Sequence, residues 1–204
     1  MKKIKVLDFA IFILVIVAII IISLIIVRIK QNQQAVKTMV NAVNAIETLQ
    51  QDLRQGENEE DFEETKKQLL ETTIQGYNIE GIIEIPSIEL KYPIINKTND
   101  ETMKISVTKF WGGTINEEGN YTIVGHNNLD GTMFGKVKKL QKGDTIKLTN
   151  LYGETIEYRI FDIYVIDPND VSCTQIVEEG TKEVTLITCT NGRKNRLVTK
   201  ARKI

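Results

Sequence analysis

Thr185-Leu186-Ile187-Thr188-Cys189 runs directly into Thr190-Asn191-Gly192-Arg193-Lys194-Asn195 and then Arg196-Leu197-Val198. The first part reads as a buried strand ending on a thiol, since the residues before the cysteine are β-branched or apolar. Asn191-Gly192 is a strong turn signal, and Arg196 opens a second apolar alternation. The stretch is therefore a hairpin with Cys189 and Arg196 both near its turn. A cysteine at the mouth of a strand is held by the sheet and exposed by the turn, which suits a nucleophile of fixed geometry. The single histidine, His126, stands in Val124-Gly125-His126-Asn127, at the end of another strand-like run.

Outward from this hairpin the same texture continues. After Gln75-Gly76-Tyr77-Asn78 the pattern changes from helical to alternating, and strands are expected near residues 81–86, 88–94, 121–124, 145–149, 155–166, 183–188 and 196–201. Gly119-Asn120, Gly143-Asp144, Tyr152-Gly153 and Asp167-Pro168-Asn169 separate them as turns. Seven or eight short strands in roughly 125 residues point to a mainly β fold, a small barrel or sandwich. Met133, Phe134, Val137 and Leu140 share a helical spacing, so one short helix is expected within residues 128–140.

The amino-terminal part is of another kind. Residues 9–27 form an apolar run broken only by Ser23, about 28 Å as a helix at ~1.5 Å per residue. That matches a bilayer core of roughly 30 Å. The run is longer than the apolar core of a cleaved signal peptide, and Val27-Arg28-Ile29-Lys30-Gln31 offers no small-residue cleavage site. Residues 1–30 are therefore read as a cytoplasmic tail and a transmembrane anchor. Lys2, Lys3 and Lys5 precede the span and Arg28 and Lys30 follow it, a weak charge bias; the amino terminus is taken as cytoplasmic and the remainder as extracytoplasmic. Residues 31–76 follow as a helical, membrane-proximal spacer, in which Val36, Met39, Val40, Val43, Ile46, Leu49 and Leu53 form one stripe. A dimerising coiled coil would need longer sustained heptads, so the stripe is read as packing on its own domain or as a stalk. Gln55-Gly56-Glu57-Asn58 ends it. A second helix is expected from Glu60 to about Thr73, with acidic residues in its first turn, as the helix dipole favours. Residues 77–204 are then the β-rich domain, a small barrel or sandwich, that carries Cys189 and His126.

Composition excludes several functions. The net charge of −1 argues against a nucleic-acid partner, which calls for a basic excess. Two cysteines and one histidine cannot fill a structural zinc site, and no glycine-rich phosphate loop is present, so neither metal nor cofactor is expected. What remains is thiol chemistry. A thiolate attacks a carbonyl, an imidazole takes and returns the proton, and a guanidinium supports the oxyanion. Cys189, His126 and Arg196 supply these three roles. Each also has an ordinary reading: a buried apolar thiol, a surface imidazole, a surface charge. Arg193 falls within the turn and is the rival to Arg196.

Thr185-Leu186-Ile187-Thr188-Cys189 resembles the TLxTC signature of sortases, and Arg196-Leu197-Val198 resembles the arginine-led strand that follows it in that family. Val124-Gly125-His126-Asn127, with Gly131-Thr132-Met133-Phe134 after it, is similar to the family's histidine region. The resemblance runs from about residue 81 to the end of the sequence. It implies a closed, eight-stranded β-barrel and a membrane-anchored cysteine transpeptidase of Gram-positive bacteria. On that likeness Cys189 is the nucleophile, His126 the general acid/base and Arg196 the oxyanion and substrate stabiliser. Thr188 is implied as a substrate-binding group, beside its plain reading as a strand residue. The implied substrates are surface proteins with an LPxTG-like C-terminal sorting signal, and the implied acceptor is a peptidoglycan precursor or other cell-wall amine. The short connection between residues 166 and 183 is unlike class B, and the lack of an aromatic-bearing lid is unlike class C. The chain looks most similar to class D, with class A second. Cys173 is expected to be inert, since a bridge to Cys189 would occupy the nucleophile. The competing functions are a membrane-anchored thiol endopeptidase or hydrolase, in which water resolves the thioacyl intermediate, and a non-enzymatic wall-binding β-domain.

Overall fold

A computed structural model describes residues 2–55, 59–176 and 178–204. Met1 of the basic start and the Gly56-Glu57-Asn58 turn lie outside the described residues. The chain divides into two compact units, Met1–Thr38 and Met39–Ile204. A single helix, α1 (Lys2–Gln55), begins in the first and runs on into the second. In the first unit its apolar window has a mean hydropathy of 3.7 and none of it is buried by protein. Length and composition there fit a membrane span.

The second unit uses the other end of α1 differently. Met39, Val43, Ile46 and Gln50 recur at helical spacing and are all buried. The three apolar ones pack with Leu69 of α2 (Glu59–Leu70), Ile74 of β1 (Thr73–Ile74) and Ile79 and Ile82 of β2 (Tyr77–Ile85). Gln50, the polar member of the stripe, donates from Nε2 to the carbonyls of Asn150 at 2.8 Å and Leu151 at 3.2 Å. Its amide is thus satisfied, as burial requires.

The barrel consists of β2, β3 (Leu90–Ile95), β4 (Val107–Trp111), β5 (Gly119–Val124), β6 (Thr145–Asn150), β7 (Thr155–Ile166), β8 (Lys182–Thr190) and β9 (Asn195–Lys203). Their order is β2-β3-β4-β5-β8-β9-β7-β6, and β6 pairs back onto β2, closing eight strands into a ring without free edges. Two neighbours are parallel, β3–β4 and β5–β8; the remainder are antiparallel. Inward-facing Ile83, Ile94, Ile123, Leu148, Tyr158 and Leu186 fill the interior with residues from several strands.

Two expectations are corrected. Strand β4 lies outside the strands expected from sequence: it is five residues long and carries a bulge between Lys109 and Trp111, which breaks the alternation a strand normally shows. The helix expected within residues 128–140 is a loop containing one 3₁₀ turn, Val137–Lys139. Met133 sits in the left-handed region at φ 50° and bridges to Asn127, which a helix forbids. Asp130 Oδ1 accepts from the Thr132 amide at 3.0 Å and hydroxyl at 2.7 Å, turning the chain locally. Met133, Phe134, Val137 and Leu140 are buried all the same, so their spacing reported burial and not helix.

Candidate active site

The hairpin of residues 185–198 is β8–turn–β9. Cys189 is registered opposite Arg196, and Thr190 opposite Asn195. Directly opposed residues of an antiparallel pair share a face, so the thiol and guanidinium side chains leave the sheet on the same side. The turn between them is tight: Asn191, Gly192 and Arg193 all have positive φ, at 49°, 64° and 74°. Gly192 takes this without penalty, whereas Arg193 carries the Cβ crowding of a left-handed residue. The Arg196 Nη1 donates to the carbonyls of Arg193 at 3.2 Å and Asn195 at 3.3 Å, bracing that turn.

His126 arrives from β5. The parallel β5–β8 ladder runs in register as far as Val124 opposite Ile187, and the Gly125 amide donates to the Ile187 carbonyl at 3.2 Å. Thr188 Oγ1 then donates to the Gly125 carbonyl at 2.7 Å. Gly125 is required by space: a Cβ there would lie 2.9 Å from the Phe134 ring and 3.0 Å from Val107 Cγ1. Past His126 the Asn127 Nδ2 donates to the Cys189 carbonyl at 2.8 Å. The loop returns through the Phe134 amide, which donates to the His126 carbonyl at 3.0 Å. It is held from the barrel side by Tyr92, whose hydroxyl accepts from the Met133 amide at 3.0 Å. Burial pushes the Tyr92 phenol up, against the lowering effect of that amide, and the Asp130 carboxylate adds to the rise.

The two loops face one another across a cleft of about 440 Å³. His126, Asn127, Asn128 and Leu129 form one wall; Cys189, Thr190, Asn191, Gly192 and Arg193 form the other. Of the residues singled out from sequence, the structure brings Cys189 and His126 together here, both half-buried. Arg196 is not among the residues that line the cleft, and it stands opposite Cys189 in the ladder. Thr188 is buried beneath, with its hydroxyl bonded to Gly125. Arg193 lines the cleft directly. Asn127 is a further member that the sequence did not mark as functional. Its residue type gives no signal, because its partner lies 62 positions away. A larger hollow of about 680 Å³, lined by residues 96–98 and 109–113, holds neither cysteine nor histidine.

Cys173 lies elsewhere, packed with Val124, Ile187 and Val198 and 2% exposed. Both thiols are free. Burial pushes the Cys173 thiol up and Asp170 pushes it further, against a smaller lowering by Lys200. Among the described residues, no group of three or more His, Cys, Asp or Glu side chains is placed to hold a metal ion.

A partly buried thiol that shares a cleft with an imidazole has the groups needed to form and release thioesters. Comparison with known proteins adds the family. A model described as the Sortase domain matches residues 83–204. Sortase A of Listeria monocytogenes is 32% identical over 138 residues, which are 63% of this chain and 60% of that protein. Sortase D of Bacillus subtilis is 31% identical over 110 residues, 53% of each. The chain thus spans only 60% and 53% of the lengths of these relatives. Among solved structures, a Clostridium perfringens Sortase D5 transpeptidase is similar with a TM-score of 0.65 at 27% identity, over 82% of this chain and 99% of that one. The matched residues include both walls of the cleft and the strands that carry them, and by that match the chain belongs to the sortase family.

Proposed function

We propose that the chain is a membrane-anchored cysteine transpeptidase that cleaves a C-terminal, LPxTG-like sorting signal and passes the surface protein to a cell-wall amine. The reading rests on one observation above the others: the cleft that holds Cys189 also holds the chain's single histidine. Cys189 attacks the scissile carbonyl carbon as thiolate, forming the C–S bond. The C–N bond then breaks, and His126 gives its proton to the departing amine. In the second half an acceptor amine attacks the thioester, His126 takes the amine's proton, and the C–S bond breaks to restore the thiol. Arg196, always charged, stabilises the oxyanion of both tetrahedral intermediates and the bound substrate. The hydroxyl of Thr188 is bonded to Gly125, so substrate contact is assigned to the groups on the cleft walls.

The coverage of the Clostridium perfringens Sortase D5 transpeptidase supports class D over class A. The exposed apolar window of α1 supports a single-pass anchor; the amino terminus is placed in the cytoplasm and the catalytic unit outside because the proposed acceptor is a cell-wall amine. The test is incubation of the full chain, in detergent micelles, with labelled sorting peptides in the presence and absence of an amine acceptor. A product carrying the acceptor's mass supports transpeptidation. Hydrolysed product alone, at every acceptor concentration, means a thiol endopeptidase. The absence of any thioester-trapped peptide on Cys189 overturns the mechanism.

A further inference from the structure

The thiol–imidazole pairing proposed above, on which this inference rests, needs a fixed spacing between two chains that separate just before the cleft. The β5–β8 ladder ends at Gly125. Beyond it β8 continues to Thr190 alongside β9, while the other chain bends into the His126 loop. Among the described residues no backbone bond joins these two chains past Gly125. Two side chains span the gap, one on each side of His126. Thr188 Oγ1 reaches the carbonyl of the preceding residue, Gly125, at 2.7 Å. Asn127 Nδ2 reaches from the following residue to the carbonyl of the cysteine itself, at 2.8 Å.

We infer that Asn127 is a positioning residue, whose amide ties the imidazole-bearing loop to the thiol-bearing strand and so sets the Cys189–His126 spacing. The loop is stiff enough to transmit this hold. Asn127 is bridged to Met133, Met133 is tied to the Tyr92 hydroxyl, and the His126 carbonyl accepts from Phe134. The chemistry demands a donor at this point, because the partner is a carbonyl oxygen. An amide supplies one; a carboxylate of the same shape sets an acceptor against an acceptor. Reacting groups displaced by as little as about 1 Å can lose on the order of 100-fold in rate.

The experiment measures iodoacetamide alkylation of Cys189 against pH, read by peptide mass on the full chain in micelles. It needs no knowledge of the natural peptide. Wild type is compared with Asn127→Ala, Asn127→Asp, His126→Ala and the His126→Ala/Asn127→Ala double variant, each checked for a cooperative thermal transition. Asn127→Ala is expected to lose most of the rate difference that separates wild type from His126→Ala. Its pH profile is expected to move toward that of His126→Ala, with Asn127→Asp at least as impaired. In the His126→Ala background the added Asn127→Ala change is expected to have no further effect, since the residue acts through the histidine. An Asn127→Ala profile like wild type overturns the inference. So does an undiminished effect in the His126→Ala background, which marks general loosening of the loop. If His126→Ala itself leaves the alkylation profile unchanged, the thiol–imidazole reading fails first, and that result is separately visible.

Discussion

Gly125 has no room for a methyl group. In Gly125→Ala the new carbon meets the ring of Phe134, which is fully buried, and Val107, so the histidine loop must shift. Such overpacking costs about 1–3 kcal/mol. Chemical denaturation should show a loss of that size, with a fall in peptide turnover larger than the residual folded fraction explains. The two thiols should behave oppositely. Cys189→Ala abolishes turnover and thioester trapping, while Cys173→Ala keeps most activity, because Cys173 is sealed among apolar side chains. Native alkylation should label Cys189 and reach Cys173 only after denaturation; prior labelling of Cys173 in the folded chain contradicts this. The arginines divide by place. Arg196→Ala should lower turnover by about 10²–10³-fold, the usual loss of an oxyanion donor, and Arg196→Lys should restore little of it, since a point charge lacks the planar fork. Arg193 lines the cleft, so Arg193→Ala is the control. If it is the more damaging of the two, the oxyanion role moves to Arg193.

The end of α1 behaves as part of the β-barrel unit. Met39, Val43 and Ile46 are each at most 4% exposed, and each contributes about 1.5–3 kcal/mol by burial, an upper range because the unfolded chain is not fully extended. A chain starting at Met39 should therefore unfold cooperatively with a higher midpoint than one starting at Gln75. The shorter chain leaves Ile79, Ile82 and Leu151 open to water; equal midpoints, by circular dichroism in urea, would show the helix adds nothing. The long hairpin strands were legible from sequence because β-branched runs between turn residues leave a local pattern, which placed Cys189 and Arg196 both near the turn; that they are directly opposed is seen only in the register. Strand β4 was not legible, because a bulge interrupts so short a run. Residues 128–140 carry a helical spacing without a helix, because burial of Met133 and Phe134 mimics it while the backbone turns left-handed at Met133. The Cys189–His126 proximity and the Asn127 tether depend on β5 lying beside β8, a pairing across more than sixty residues that no local pattern records.

Across the whole molecule, position relative to the bilayer is open to a direct measurement. With the amino terminus inside, protease added to intact protoplasts should digest the chain beyond residue 30, and complete protection would reverse the proposed orientation. The order of strands around the barrel also carries a consequence in time. Strand β9 lies between β8 and β7, and it is made after both. Until residues 195–203 are in place, the strand bearing Cys189 has one bare flank, and the barrel is an open sheet with two adhesive edges. The thiol therefore meets its fixed surroundings only when β9 closes the ring. A chain ending at residue 194 should remain an open, aggregation-prone sheet and show no histidine-dependent reactivity at Cys189, and restoring residues 195–203 should bring back the fold and the reactive thiol together.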